Sequence, residues 1–274
     1  MIFQGEKMFD ASFDIFANNY DDVRPGYPAQ MYGDIQRICA VSARSSLLEI
    51  GAGSGIATIE LAKLGCKVVG IEPGSNLVAI AKQKITEYPN AEIKEAMFEE
   101  FEAKEKFDVI LALTSFHWIS EYMKYKKVSD LLNDDGSFVL VWNSFFQSDS
   151  PVSQEINAIY QEILPDIYPS SDVNVNISVL NKLNAREREI HESDLFYIHF
   201  LRKYITVCNY DSETYPKLLN TFPKIIKADK KRRQEFLEKV GSVVKKYGTI
   251  SLPLLTTLII CKKRENFLNS IGKI

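Results

Sequence analysis

The sequence predicts an α/β fold, a largely parallel sheet with helices on both faces, and three observations predict it. Between Ser45 and Trp142 short apolar runs alternate with longer stretches of helical spacing. Those runs are nearly continuous, without the polar alternation that a sheet with one wet face shows. The first run closes on a glycine turn, "EIGAGSGIA" at 49–57, which leads straight into a helical stretch.

Taken in order, "SLLEIG" (46–51) is the first strand and "IATIELAKLG" (56–65) the helix after it, with Gly65 as its C-cap. "KVVGIE" (67–72) is the second strand. Pro73 and Gly74 separate it from the helical "SNLVAIAKQKITEY" (75–88), with Ser75 placed to cap that helix. "AEIKEA" (91–96), "FDVILAL" (107–113) and "GSFVLVWN" (136–143) are the third, fourth and fifth strands, with a helix near 119–132 before the fifth. Upstream, "RPGYP" (24–28) breaks the chain before the helical "AQMYGDIQRICAV" (29–41).

After residue 150 the rhythm changes. A helix near 153–163 ends before Pro165, and the polar 170–176 stretch reads as a surface loop or lid. "FYIHFLRKYITVC" (196–208) contains a strand, helices follow at about 212–221 and 229–247, and "SLPLLTTLIICKK" (251–263) is the last strand. One domain over 1–274 results, with an N-terminal lid segment (1–44), a cofactor-binding core (45–150) and cap insertions with the sixth strand (151–250) before the last strand (251–263).

Composition bounds the function classes. With 46% hydrophobic and 25% charged residues in 274, the chain can bury a sizeable core. Its net charge of −3 provides no field to draw it to nucleic acid or an anionic membrane. The basic run at 227–233, "KADKKRR", has no interleaved aromatics and reads as a solvated helix start. Four scattered cysteines and three scattered histidines (His117; His191 in a charged loop; His199 in a strand) have no metal-ligand or redox spacing, so no metal is expected. The first ten residues lack a signal-peptide pattern, and the expected location is cytoplasmic.

Three ligands compete for the glycine turn. A triphosphate loop would need G-x-x-x-x-G-K-[ST], which is absent. A dinucleotide fingerprint would place its third glycine where Ile56 stands; the glycine falls at Gly55 instead. S-adenosylmethionine fits E-x-G-x-G-x-G in full. Gly51 and Gly53 can take positive φ and bring bare backbone to a ligand. Glu49 can hold a methionine ammonium directly or through water, or fix the loop, whereas an anion there ill suits a pyrophosphate. Glu72, 21 residues after Gly51, ends the second strand where a carboxylate accepts from both ribose hydroxyls of an adenosine cofactor.

With these residues in view, the chain resembles the class I S-adenosylmethionine-dependent methyltransferases, in particular the branch around trans-aconitate methyltransferase. "YDDVRPGYP" (20–28), "LLEIGAGSG" (47–55), "FDVILALTSFHWI" (107–119), "LLNTF" (218–222) and "GTISLPLLTTLIICKK" (248–263) carry the resemblance. It implies a Rossmann-like seven-stranded sheet of order 3-2-1-4-5-7-6, last strand antiparallel, with a helical cap from 212–247. It further implies that Gly51, Ala52 and Gly53 line the methionine and ribose, with Glu72 on the ribose hydroxyls and Pro73 beside the adenine. Met97 and Phe98 would flank the adenine edge, and Leu113 and Thr114 lie beneath the sulfonium. Neither Met97 nor Phe98 can accept from the adenine amino group, which leaves Glu99 or backbone groups.

On the substrate side, His117 is a pocket wall or proton acceptor, or else a structural histidine; Trp118 follows it at the ligand end of the sheet. Tyr20, Arg24 and Tyr27 belong to the segment expected to close over the cofactor. Arg24 either grips a carboxylate or pins the lid through Asp21 or Asp22. Trp142 is a pocket floor or simple core. The expected function is methyl transfer from S-adenosylmethionine to a small molecule on oxygen, carboxylates included, releasing S-adenosylhomocysteine by a monomer or homodimer. The alternatives are a noncatalytic cofactor-binding sensor or scaffold, an RNA methyltransferase acting on ribose or base, and a nicotinamide-dependent oxidoreductase; the absence of D/N-P-P-Y/F after the fourth strand disfavours only the amino-methylating nucleic-acid enzymes.

Overall fold

The computed structural model describes residue 14 and residues 21–121, 124–168 and 175–264. Parallel pairing starts at β1 (Ser46–Ile50), which lies between β2 (Lys67–Glu72) and β4 (Phe107–Leu113). β3 (Ala91–Glu95) extends one edge beside β2, and β5 (Leu132–Phe145) follows β4. β7 (Ile250–Lys263) runs antiparallel between β5 and the edge strand β6 (Phe196–Tyr210). The sheet has seven strands in the order 3-2-1-4-5-7-6, as the resemblance implied.

The continuous apolar strands are explained by two covered faces. Leu48, Ile50, Ile110 and Leu140 point to one side, under Tyr125 and Val128 of α4 (Lys124–Leu131) and Leu183 and Ile190 of α6 (Val175–Glu192). Leu47, Val68, Val109 and Val139 point to the other, under Met31 and Ile35 of α1 (Ala29–Ile38) and Ala57 and Leu61 of α2 (Ile56–Ala62). Each such side chain contributes roughly 1.5–3 kcal/mol on leaving water. A third core joins α5 (Pro151–Ile163), α7 (Thr214–Leu219), α8 (Pro223–Ile226) and α9 (Lys230–Tyr247) through Ile156, Leu218, Ile225 and Phe236, and it includes Val23. This cap stands where β5 and β6 end and β7 begins.

The helix after β2, α3 (Ser75–Lys84), corrects one expectation. Its N-cap is Gly74, not Ser75, and no cap side chain bonds to the first turn. Asp14 does that work from far upstream, accepting from Asn76 N at 2.8 Å and Leu77 N at 3.1 Å. Asp229 caps α9 over Lys231 N and Arg232 N, so the basic run is a helix start as expected. The sequence reading missed α6: Val179, Leu183 and Ile190 form an apolar stripe against the sheet, hidden among asparagines and charges. His191 therefore lies in the last turn of a helix and not in a loop, while His199 lies on β6 as expected. Tyr20 and residues 170–174 of the expected lid lie outside the described residues.

Candidate active site

The three glycines of the turn serve three different purposes. Gly51 has φ +72°, and a Cβ there would overlap the Ser115 side chain, whose hydroxyl donates to Ile50 O. Gly53 has φ +57° and would direct a Cβ into open space. Gly55, at φ +80°, is the N-cap of α2, and a Cβ there would come within 3.3 Å of Ala81 in α3. Gly51 N and Ala52 N donate to Ile71 O at 2.9 and 3.0 Å, which ties the turn to β2. Gly55 lines none of the cavities described below; its place is at the start of α2.

Two buried carboxylates flank this turn. Glu72 accepts from Gly53 N and Gly74 N, each at 3.0 Å. Burial pushes its carboxyl above the ordinary value, and those two N–H groups draw it part of the way back. Glu49 is 1% exposed and accepts from Thr58 Oγ1 at 2.5 Å. Burial pushes it up to about 8, against the pull of the Thr58 hydroxyl, and the Glu72 charge adds to the rise. Neither carboxylate forms an ion pair among the described residues. A positive group beside the turn would pair with Glu72 and draw the Glu49 carboxyl back toward its charged form.

The segment before α1 is fastened across this region at separate points. Asp21 accepts from Ser54 Oγ at 2.8 Å and pairs with Lys84. Arg24 Nε donates to Thr221 Oγ1 at 2.9 Å, its Nη2 donates to Thr221 O at 3.1 Å, and its guanidinium lies 4.8 Å from the Phe222 ring centre. Among the described residues Arg24 thus ties the segment to the cap through Thr221. Tyr27 Oη shares a 3.1 Å hydrogen bond with Thr114 Oγ1, which also accepts from Asn143 N at 3.3 Å. Thr114 has φ +58°, a conformation that a β-branched residue adopts only when its surroundings impose it.

These groups surround a cleft at the carboxyl ends of β1, β2 and β4. Its first lobe, about 420 Å3, is lined by Gly51, Gly53, Glu72, Pro73, Met97 and Phe98. Leu113, Thr114, His117, Trp118 and Arg24 line it as well. A small pocket of about 60 Å3 behind the turn is lined by Glu49, Ala52 and Tyr27. The second lobe, about 810 Å3, lies under the cap and shares Arg24, His117, Trp118, Asn143 and Lys182 with the first. The expected cofactor residues inside the described chain, Gly55 excepted, converge on one cleft.

Trp142 does not join them. It is 3% exposed in the core with Leu140 and Phe138, beneath the Arg186 guanidinium at 4.3 Å from its ring centre. Its neighbour Asn143 lines the cleft, donates from Nδ2 to Gly26 O at 3.2 Å and accepts from Thr256 Oγ1 at 2.6 Å. The period of two along β5 carries the signal for this, because Phe138, Leu140 and Trp142 share one face. Lys182 and Arg186 went unread with α6. Among the described residues no group of three or more His, Cys, Asp or Glu is placed to hold a metal, and no helix is long and apolar enough to cross a membrane.

Comparison with known proteins agrees with this geometry. Residues 47–146 match the family model described as a methyltransferase domain. An uncharacterized methyltransferase of Bacillus mycoides is 31% identical over 151 residues, which cover 52% of this chain and 70% of that protein. A probable S-adenosylmethionine-dependent methyltransferase of Saccharomyces cerevisiae is 29% identical over 125 residues, 44% of this chain and 43% of its own length. The chain spans about half the length of the first curated relatives it matches, 49% for one from Dictyostelium discoideum. In fold it is similar to the crystal structure of a methyltransferase from Geobacter sulfurreducens in complex with S-adenosylhomocysteine, with a TM-score of 0.53 and 10% identity, covering 93% of this chain and 99% of that one. The chain belongs to the class I S-adenosylmethionine-dependent methyltransferases. S-adenosylmethionine is the cofactor of that family and S-adenosylhomocysteine its product.

Proposed function

We propose that the protein transfers a methyl group from S-adenosylmethionine to an oxygen of a small-molecule acceptor, a carboxylate among the oxygens it can use. The observation that carries this reading is the two-lobed cleft, in which the glycine turn and Glu72 face one lobe and His117, Trp118 and Asn143 stand where it opens into the other. The open space beside Gly53 and two buried carboxyl groups, neither in an ion pair among the described residues, fit a ligand that is bulky at the turn and positively charged.

In this reading Glu72 accepts from the ribose hydroxyls, and Glu49 faces the ammonium end across the small pocket. Pro73, Met97 and Phe98 flank the adenine. Glu99 Oε1 accepts from Ser120 N at 3.0 Å, which holds that side chain on the cleft wall, where it would be the carboxylate to accept from the adenine amino group. Bound there, the cofactor supplies a methyl group already activated by a sulfonium, so the task left to the chain is positioning. Thr114 and Tyr27 shape the floor beneath the reacting centre. His117, at the junction of the lobes, is the residue placed to take a proton from a hydroxyl acceptor; a carboxylate acceptor brings none. The cysteines stand as free thiols, which suits a cytoplasmic protein.

S-adenosylhomocysteine should raise the melting temperature in proportion to the logarithm of its concentration above Kd, and NAD should not. Glu72→Ala should abolish that rise. A folded Glu72→Ala variant that keeps the full rise overturns the assignment.

A further inference from the structure

We propose that the acceptor lobe takes an organic acid with a single anionic head and a bulky apolar body. The inference deepens the reading above and rests on it for the methyl donor. The lobe holds about 810 Å3, and its walls are mostly apolar: the rings of Phe145, Tyr160, Tyr168 and Tyr215 with Leu218 and Ile250. That volume and lining fit a ligand with substantial apolar surface.

The charged side chains on these walls have one sign. Arg24, Lys182, Arg186 and Lys224 line the lobe, and no Asp or Glu does among the described residues. In a chain with a net charge of −3, this is a local reversal. Lys182 and Arg186 stand one turn apart on α6, and Lys182 also lines the cofactor lobe, so a cation stands at the junction where an acceptor head must lie. Lys224 approaches from α8, 5.2 Å from the Tyr168 ring centre. Burial also pushes the Tyr160, Tyr168 and Tyr215 phenols up, Tyr168 to about 12, so at neutral pH their hydroxyls remain protonated and able to donate.

Charge and lining together select the ligand. An amine would meet like charges on two helices and at Arg24, a mismatch that costs affinity and rejects wrong partners. A neutral ligand would strip water from the cations and return only an uncharged acceptor, weaker than a carboxylate. A small polyacid would leave the aromatic wall bare while carrying further charges into an apolar space. An apolar acid with one head satisfies both the rim and the wall.

The test uses four probes titrated calorimetrically into the full chain, with and without saturating S-adenosylhomocysteine: 4-phenylbutyrate, 4-phenylbutanol, 4-phenylbutylamine and tricarballylate. The expected order places the phenyl acid about tenfold or more tighter than the alcohol, with the amine and the tricarboxylate weaker still. Arg186→Gln and Lys182→Gln should each lower the acid-to-alcohol affinity ratio several-fold. That ratio cancels any general loss of shape, so a purely structural role would leave it unchanged. Equal binding of acid and alcohol, tighter binding of the amine or tricarboxylate, or a ratio untouched by both variants overturns the proposal. Acid preference without any S-adenosylhomocysteine binding leaves the acid site standing and overturns the methyltransferase reading instead.

Discussion

Two alanine substitutions in the glycine turn, only two residues apart, should differ sharply in what they damage. Both put an L side chain at positive φ, +72° at Gly51 and +57° at Gly53, which costs about 1–2 kcal/mol. At Gly51 the new Cβ also overlaps Ser115, whose hydroxyl is tied to Ile50 O, and forcing the two apart adds roughly 1–3 kcal/mol. At Gly53 nothing lies within 4 Å, so no such cost arises. Gly51→Ala should therefore lose about 2–5 kcal/mol, a fall of roughly 5–15 °C in Tm, and Gly53→Ala only about 1–2 kcal/mol, roughly 2–6 °C. The assay is thermal unfolding of both variants without ligand, repeated with S-adenosylhomocysteine. Although the milder change for stability, Gly53→Ala should lose most of the ligand-induced rise, because its methyl group occupies the open space beside the cleft. Equal destabilisation of the two variants refutes the packing argument, and a full ligand response in Gly53→Ala refutes the placement of the ligand.

Three further predictions concern charge. The Glu49 carboxyl binds its proton more tightly folded than unfolded, so its contribution to stability is greatest below about pH 4.5 and is lost as pH rises to about 8. Glu49→Gln should gain on the wild type over that window by an amount on the order of a few kcal/mol, levelling off above pH 8; urea unfolding at pH 5–9 checks this, and a pH-independent difference would count against it. Asp34 behaves in the opposite sense. Burial pushes its carboxyl up, but bonds from Tyr204 Oη at 2.6 Å, Arg37 at 2.8 Å and Arg202 at 2.8 Å outweigh it and hold the group low. Its stabilisation is present at neutral pH and fades as acid protonates it. Asp34→Asn should cost about 2 kcal/mol at pH 7 and progressively less toward pH 3, and a constant cost across that range would contradict the assignment. Arg24→Lys should not rescue the loss of about 1–3 kcal/mol expected for Arg24→Ala, since one ammonium cannot serve both Thr221 oxygens in the geometry of a planar fork; full stability in the lysine variant would show that charge alone suffices there.

Legibility in the sequence followed chain distance. The β1 turn, α2 and the acid ending β2 are neighbours along the chain, and a backbone at positive φ largely requires glycine, so these residues announced themselves. Near-continuous apolar runs likewise declared a sheet covered on both sides. Long-range partners left no such mark. Arg24 meets Thr221 across 197 positions, and Asp14 caps a helix that begins more than 60 residues later. Local composition does not reveal which group will satisfy those donors. Trp142 and Asn143 show the same limit at one-residue scale, because side-chain type left Trp142 open between pocket floor and core, and strand register settled the core for Trp142 and the cleft for Asn143. The cationic face of α6 arises only once Val179, Leu183 and Ile190 dock on the sheet and turn Lys182 and Arg186 toward the acceptor lobe. What local backbone demands could determine, the sequence by itself determined; which distant side chains share the cleft was decided by packing, which acts on the folded chain alone.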